Sequence, residues 1–398
     1  MPRFTQQHQT EEASKGKIAA TAGYYGAFIS LGLVIASLGP TLPALAQNTG
    51  SSLGQISLLF TAQSLGYLLS ALFGGRLYDR LPGHLVVVAC LLLIGAMLAL
   101  VPVIPVLWLL FAVFFVEGLA AGALDIGGNT LLVWFHRDRV GPFMNALHFF
   151  FGIGAMLAPI IIDALAGLSG DITWAYWTLA LLALPAALWL LPWPSPAAPP
   201  ATEKESAGGV KLVPVVLAAL ILFFYVGAEL GYGGWLYTYA LTLGLGTETS
   251  AATLTSAYWG ALTLGRLLCI PVSARVRPRW ILTGSLLGGL LSVVLIGLWP
   301  GSPVALWAGT LGVGLFTGPV FATVMVLAGR HMRLTGQITG WIIVGSSLGG
   351  MSLPWLIGQL FEPTGPQSLL VAVSVSLALG LGALWAFVWQ AERSTVPR

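Results

Sequence analysis

Residues 194–211 read Pro194-Ser195-Pro196-Ala197-Ala198-Pro199-Pro200-Ala201-Thr202-Glu203-Lys204-Glu205-Ser206-Ala207-Gly208-Gly209-Val210-Lys211. This is the longest polar stretch of the chain, and its Pro, Ala and Gly content is that of a flexible connector. Toward the N-terminus it is preceded by apolar spans near 174–193, 142–166, 105–134, 84–101, 52–77 and 18–46. Toward the C-terminus it is followed by spans near 212–243, 251–275, 280–300, 303–329, 337–361 and 366–391. A helix needs roughly 20 apolar residues to cross a bilayer, so six crossings are predicted on each side. The expected architecture is an all-α membrane protein with twelve transmembrane helices. They form two six-helix pseudo-symmetric bundles, 1–193 and 212–398, joined by the linker 194–211.

Composition agrees. Of the 398 residues, 57% are hydrophobic and only 8% are charged, with a mean hydropathy of +0.88. A soluble domain carries about a quarter charged residues, so a soluble enzyme is excluded. The 50 glycines and 24 prolines fit the same reading, because both residues are commoner in membrane helices than in soluble ones.

The cations fix an orientation. Arg3, Lys15 and Lys17 precede the first span, Arg76 and Arg80 follow the second, and Arg137 and Arg139 follow the fourth. Lys204 and Lys211 lie in the linker, Arg275, Arg277 and Arg279 follow the eighth span, Arg330 and Arg333 the tenth, and Arg393 and Arg398 the twelfth. If the spans alternate, all of these fall on one side, and the opposite loops hold no Lys or Arg. The positive-inside rule then predicts a multi-pass protein of the cytoplasmic (inner) membrane with both termini cytoplasmic. The polar first 17 residues lead into a long span without a small-residue cleavage site, so no removable signal peptide is expected. Cys90 and Cys269 sit in separate spans, where neither a disulfide nor a metal site is expected.

Shifting the second half back by 195 positions aligns Gly32 with Gly227, Arg80 with Arg275, His84 with Arg279, Gly141 with Gly336, Gly154 with Gly349 and Pro159 with Pro354. Two like-oriented six-helix halves form a parallel repeat, an arrangement that binds substrate near the midplane between halves that rock.

The loop Gly75-Arg76-Leu77-Tyr78-Asp79-Arg80-Leu81-Pro82-Gly83-His84 resembles the G-x-x-x-D-R-x-G-R-R/K signature of the major facilitator superfamily. Gly75, Asp79 and Arg80 match, the second Gly comes one residue late, and His84 replaces a basic pair. The resemblance implies the major facilitator fold, with this loop latching the halves in the outward-facing state. In span four, Gly122-Ala123-Leu124-Asp125-Ile126-Gly127-Gly128-Asn129-Thr130 is similar to the acidic-x-x-x-x-Asn element of the fucose/glucose/galactose proton symporter group. Tyr225-Val226-Gly227-Ala228-Glu229 in span seven matches that group's Y-V-G-x-E pattern. Together with Leu38-Gly39-Pro40-Thr41-Leu42 and Leu147-His148-Phe149-Phe150-Phe151-Gly152, the chain also resembles the sodium-dependent glucose transporter-like branch. These resemblances imply a sugar transporter.

A charge inside a span is costly and therefore a functional candidate. Glu117 and Asp125 lie in span four, Glu229 in span seven and Arg266 in span eight. Under the 195-residue shift Asp125 meets Val320 and Glu229 meets Val34, so the acids are not common to both halves. Asp125 and Asn129, four apart, share a helix face. Asn145 and His148 fall at a similar depth on span five, which predicts a polar cluster in the inner half of the first bundle. A carboxyl there suits reversible protonation, although a plain helix–helix hydrogen-bond cluster fits the same pattern. Glu229 either pairs with Arg266 or carries a proton itself. Glu117, Asp125 and Glu229 are thus the ion-coupling candidates. Tyr232 and Trp235, beside Gly233 and Gly234, are candidates for lining a sugar cavity with aromatic faces, with Asn129, Gln63, Asn145 and His148 as further substrate contacts. Tyr237 and Tyr239 are expected in an interfacial aromatic belt. Gly75, Asp79, Arg80 and Arg266 are assigned gating or structural roles.

The function expected is secondary active transport of a monosaccharide or related polyol, coupled to H+ or Na+ symport. Uncoupled facilitated transport remains an alternative. No cofactor is expected beyond the coupling ion, and no G-x-x-x-x-G-K-S/T loop marks ATP as the energy source. Proton-coupled efflux of hydrophobic or cationic compounds also fits buried acids. However, the family's G-P-x-x-G-G element is replaced here by Ala158-Pro159-Ile160-Ile161-Ile162. A membrane sensor or scaffold would need a sizeable soluble segment, and the longest is the linker. The expected partners are the bilayer and a small-molecule substrate, with no nucleic acid, and the expected functional unit is the monomer.

Overall fold

Helices account for nearly every element of the computed structural model, which describes residues 2–196, 212–332 and 336–394. In chain order they are α1 (Pro2–Ile35), α2 (Leu38–Thr49), α3 (Leu53–Ile56), α4 (Leu58–Phe73), α5 (Gly75–Arg80), α6 (Gly83–Leu100), α7 (Leu107–His136), α8 (Val140–Ser169), α9 (Thr173–Leu182) and α10 (Leu184–Leu190). There follow α11 (Leu212–Thr242), α12 (Glu248–Ser273), α13 (Pro278–Leu298), α14 (Pro303–Thr317), α15 (Val320–His331), α16 (Gly336–Thr364) and α17 (Ser368–Ser394). Most of the expected linker, 197–211, lies outside the described residues, as do Arg333 and Arg398.

Several expected spans are broken helices, and three of the breaks lie beside prolines. Pro40 has no N–H to give the Ala36 carbonyl, and the first span divides at Ala36–Ser37, where Ser37 Oγ donates to the Val34 carbonyl at 2.8 Å. Pro185 and Pro319 accompany the interruptions between α9 and α10 and between α14 and α15 in the same way.

Eleven stretches among the described residues have both the length and the hydropathy to cross a bilayer. The span expected near 251–275 is the exception in hydropathy, since α12 carries Arg266 and several hydroxyl side chains. Its polarity is turned inward: Thr255, Ser256 and Thr263 are buried, while Leu264, Leu267 and Leu268 are exposed. The helix therefore presents an apolar outer face despite its low average.

The 195-residue repeat corresponds to one crossing made twice. Gly32 on α1 abuts the Phe151–Ala155 backbone of α8, and Gly154 on α8 abuts the Ile29 carbonyl. In the second set Gly227 on α11 meets Gly349 on α16, and Gly349 meets the Phe223 carbonyl. A Cβ on Gly154 would overlap the Ile29 carbonyl oxygen, and one on Gly349 the Phe223 carbonyl oxygen, so backbones this close require glycine. Small residues that admit backbone contact are the usual means of packing helices in lipid, where apolar contact alone gives no preference.

The two sets of helices meet mainly toward the end away from the loop arginines. There Gly39 of α2 lies against the Gly233 and Gly234 carbonyls of α11. Gln359 Nε2 of α16 donates to the Gly54 carbonyl at 2.7 Å, Leu53 N–H donates to Glu362 Oε1 at 3.1 Å, and Thr61 Oγ1 donates to the Met351 carbonyl at 3.2 Å. Nearer the middle, α8 packs on α12 with Gly152 facing Thr263.

Candidate functional site

The contact of α4 with α7 carries two of the intramembrane acids. Gly66, Gly118 and Gly122 bring the two backbones together, and Ser70 Oγ donates to the Leu119 carbonyl. On this seam Gln63 Nε2 donates to Glu117 Oε2 at 2.9 Å. Both residues are buried, and Glu117 Oε1 has no hydrogen-bond partner in the protein. One turn further along α4, Tyr67 Oη donates to Asp125 Oδ2 at 2.5 Å. Asn129 Nδ2 donates to Asp125 Oδ1 at 3.0 Å and to the Asp125 carbonyl at 2.8 Å.

Asp125 is thus held by two neutral donors, one on each oxygen. Protonating either oxygen turns an acceptor into a donor, so the bond from Tyr67 or from Asn129 must rearrange. Proton binding at this residue would therefore be felt on α4.

The third acid has a different environment. Glu229 on α11 is buried and paired with Arg266 on α12, Oε1 to Nη2 at 3.2 Å. Arg266 Nε also reaches the Gly318 carbonyl, at 3.4 Å, where α14 gives way to α15. Tyr258 Oη donates to the Glu229 carbonyl at 2.9 Å, and the Tyr225 hydroxyl, one turn before Glu229, is buried without a partner. Of the two possibilities open from the sequence, the structure adopts the pair.

The remaining candidates separate. Asn145 is exposed, and His148 sets its ring edge-on to Phe28 at 5.8 Å, on the side of Arg266. The cluster expected to join both of them to Asp125 and Asn129 is not formed. Residues on α8 share that depth but face other neighbours, which depth alone does not specify. Trp235 is fully buried: its Nε1 donates to the Pro354 carbonyl at 2.9 Å and its ring stacks on Phe361 at 4.9 Å. Tyr232 is likewise buried, with its hydroxyl 2.7 Å from Thr310 Oγ1. Both rings pack between helices and do not line an open cavity. Tyr239, expected in an interfacial belt, is buried with its hydroxyl on Gln367 Oε1 at 3.2 Å, because α17 covers this face of α11. Gly75, Asp79 and Arg80 are exposed on α5, and neither of the ion pairs among the described residues includes Asp79 or Arg80. That loop is anchored instead by Tyr78, whose hydroxyl donates to the Ala123 carbonyl at 2.7 Å.

Between the two sets of helices a gap of about 20 Å³ is bordered by Gly39, Phe60, Gln63 and Ser64 from the first and by Gly234 and Trp259 from the second. A space of this size admits one water molecule and no sugar. The Trp259 indole N–H is buried without a partner. Tyr67, which binds Asp125, is not singled out by the sequence motifs. Its signal was its place four residues after Gln63, on the same face of α4.

The sequence matches the model of the Major Facilitator Superfamily over residues 24–354. It is 29% identical over 374 residues to sodium-dependent glucose transporter 1A of Mus musculus, spanning 84% of this chain and 88% of that protein. To sodium-dependent glucose transporter 1 of Xenopus laevis it is 31% identical over 358 residues, spanning 82% and 73%. Among solved structures, the nucleoside transporter NupG, crystallised as an aspartate-to-alanine mutant, superposes with a TM-score of 0.73 at 14% identity. That match covers 94% of this chain and 99% of the other, and likeness at so low an identity speaks to the fold alone.

Proposed function

The chain belongs to the Major Facilitator Superfamily, and from that premise we propose that it is a secondary active transporter of a monosaccharide or related polyol. Transport proceeds by alternating access, coupled to symport of a proton or sodium ion, and the protein acts as a carrier and not as an enzyme. The names of the relatives, sodium-dependent glucose transporters, support the substrate class.

The observation that carries the reading is the set of polar groups around the midplane gap. Gln63 and Trp259 approach it from opposite halves, backed by the unpartnered Glu117 Oε1. An unpartnered acceptor and an unpartnered donor are together complementary to hydroxyls, which donate and accept at once. With the arginine-bearing loops cytoplasmic by the positive-inside rule, the contacts at Gly39, Gly54 and Thr61 close the outer side, as inward-facing and occluded members of the cycle require. The exposed Asp79 and Arg80 suit a latch that is released in this state. Asp125 is the coupling residue in this scheme, because its two hydrogen bonds change with its charge. Asn129 and Thr130 are further oxygen ligands should the ion be sodium. Glu229, neutralised by Arg266, is assigned a structural role.

The test is uptake of a sugar panel into proteoliposomes with proton and sodium gradients imposed separately. Accumulation of a sugar driven by one gradient, and lost in Asp125→Asn, is expected. Uptake driven by neither gradient and unchanged in Asp125→Asn overturns the coupling assignment and leaves facilitated transport.

A further inference from the structure

A second cavity lies far from the polar midplane. It has a volume of about 280 Å³ and opens at the arginine-bearing end between α13, α15 and α17. Arg277, Arg279, Arg330 and His331 form its rim, and the buried Pro278, Leu327 and Val388 form its apolar floor. Glu392 also borders it and pairs with Arg279 at 2.8 Å. Three arginines facing one carboxylate leave a surplus of two positive charges. Arg279 Nε is buried without a partner, and Arg277 and Arg330 are exposed. His331 Nδ1 is engaged by the Leu327 carbonyl at 3.0 Å, which leaves Nε2 as the nitrogen that can meet a ligand. The cavity also sits at the start of α13, where the helix dipole favours an anion.

Its surroundings mark the depth. Trp280, on α13 beside Arg279, and Trp385 and Trp389, on α17, are exposed, and the Trp280 and Trp385 rings meet edge to face at 5.7 Å. Arg393 lies over the Trp389 ring at 3.7 Å. Exposed tryptophans beside arginines at the end of a membrane helix belong at headgroup level.

We propose that this cavity binds the phosphate headgroup of an anionic phospholipid, with the arginine rim taking the phosphate and the apolar floor and tryptophan edges taking the adjoining chain. A free inorganic anion would use the rim alone and gain nothing from the floor. Basic pockets between transmembrane helices on the cytoplasmic side are a general means of holding such lipids. The site touches neither the midplane gap nor any intramembrane acid, so its occupancy is separable from substrate binding. A lipid held there would tie α15, the lower part of a broken span, to α13 and α17.

The experiment uses the full chain in neutral detergent, titrated with phosphatidylglycerol, phosphatidylcholine or inorganic phosphate while Tm is followed. Phosphatidylglycerol is expected to raise Tm at lower concentration than phosphatidylcholine, with inorganic phosphate giving little. Arg277→Gln/Arg330→Gln should weaken the apparent affinity for phosphatidylglycerol about 25-fold. The charge-matched Arg137→Gln/Arg139→Gln should leave it unchanged, and Arg277→Lys/Arg330→Lys should keep most of it. Rising ionic strength should weaken the response of the unaltered chain, a readout that does not depend on any variant folding. Equal response to phosphatidylcholine, a full response to inorganic phosphate alone, or equal loss in both Gln variants would overturn the proposal.

Discussion

Asp125 and Glu229 are two carboxyls near the middle of the bilayer, one in each half, and their surroundings differ in kind. Asp125 accepts from Tyr67 and Asn129, neither of which carries charge. Glu229 faces a guanidinium at 3.2 Å. A buried ion pair holds its charge state because removing either partner leaves the other uncompensated. A carboxyl among neutral donors has no such lock, and gaining a proton only exchanges hydrogen bonds. The same residue class can therefore fasten α11 to α12 in one half and, in the other, sit among neutral donors that leave its charge unlocked.

The sharpest way to break this contrast is Asp125→Asn. Gradient-driven accumulation should vanish while equilibration of sugar across proteoliposome membranes continues, and retained accumulation would remove Asp125 from the coupling role. Next in size is Arg266→Gln, which strands Glu229 and should cost about 3–5 kcal/mol of stability, read as a fall in Tm in detergent. Glu229→Gln/Arg266→Gln should recover most of it, and an unaffected Tm in the single variant would show that the pair does not brace the fold. Tyr67→Phe removes a charge-assisted donor of about 1.5–3 kcal/mol. It should displace the pH profile of uptake, whereas Tyr225→Phe should not. The smallest change is Trp235→Phe, which forfeits the bond to the Pro354 carbonyl at a cost of about 1 kcal/mol. Calorimetry should detect it with uptake nearly unchanged, and a large loss of substrate affinity would return Trp235 to the cavity wall.

Features set by chain-local chemistry were legible in the sequence. Apolar length marked the spans, the glycine matches at a 195-residue offset marked the repeated α1–α8 and α11–α16 crossings, and Asp125 with Asn129 shared a face by the helical period alone. Arg266 and Glu229 found each other because they were opposite charges on successive helices with few other partners. Gln63 and Glu117 were both singled out, yet their bond was not anticipated, because it depends on the register in which α4 meets α7. That register is set by Gly66 and Gly118, which fix backbone contact. Trp235 and Tyr232 were misplaced for a related reason. An aromatic ring beside glycines reads alike whether it faces a cavity or fills the hollow that the glycines leave, and here Phe361, Pro354 and Thr310 complete the packing.

Gly39 meets the Gly233 and Gly234 carbonyls backbone to backbone, with the Phe60 ring packed on Gly234 beside them. Parting α2 from α11 at Gly39 asks no rotamer to turn, whereas the Phe60 ring must leave its place on Gly234. At the rim the two sets are also held by hydrogen bonds, Gln359 to the Gly54 carbonyl and Glu362 to the Leu53 amide, where water can take over each bond as it breaks. If the chain cycles as proposed, substitutions at Gln359 and Glu362 should alter turnover more steeply than equilibrium affinity.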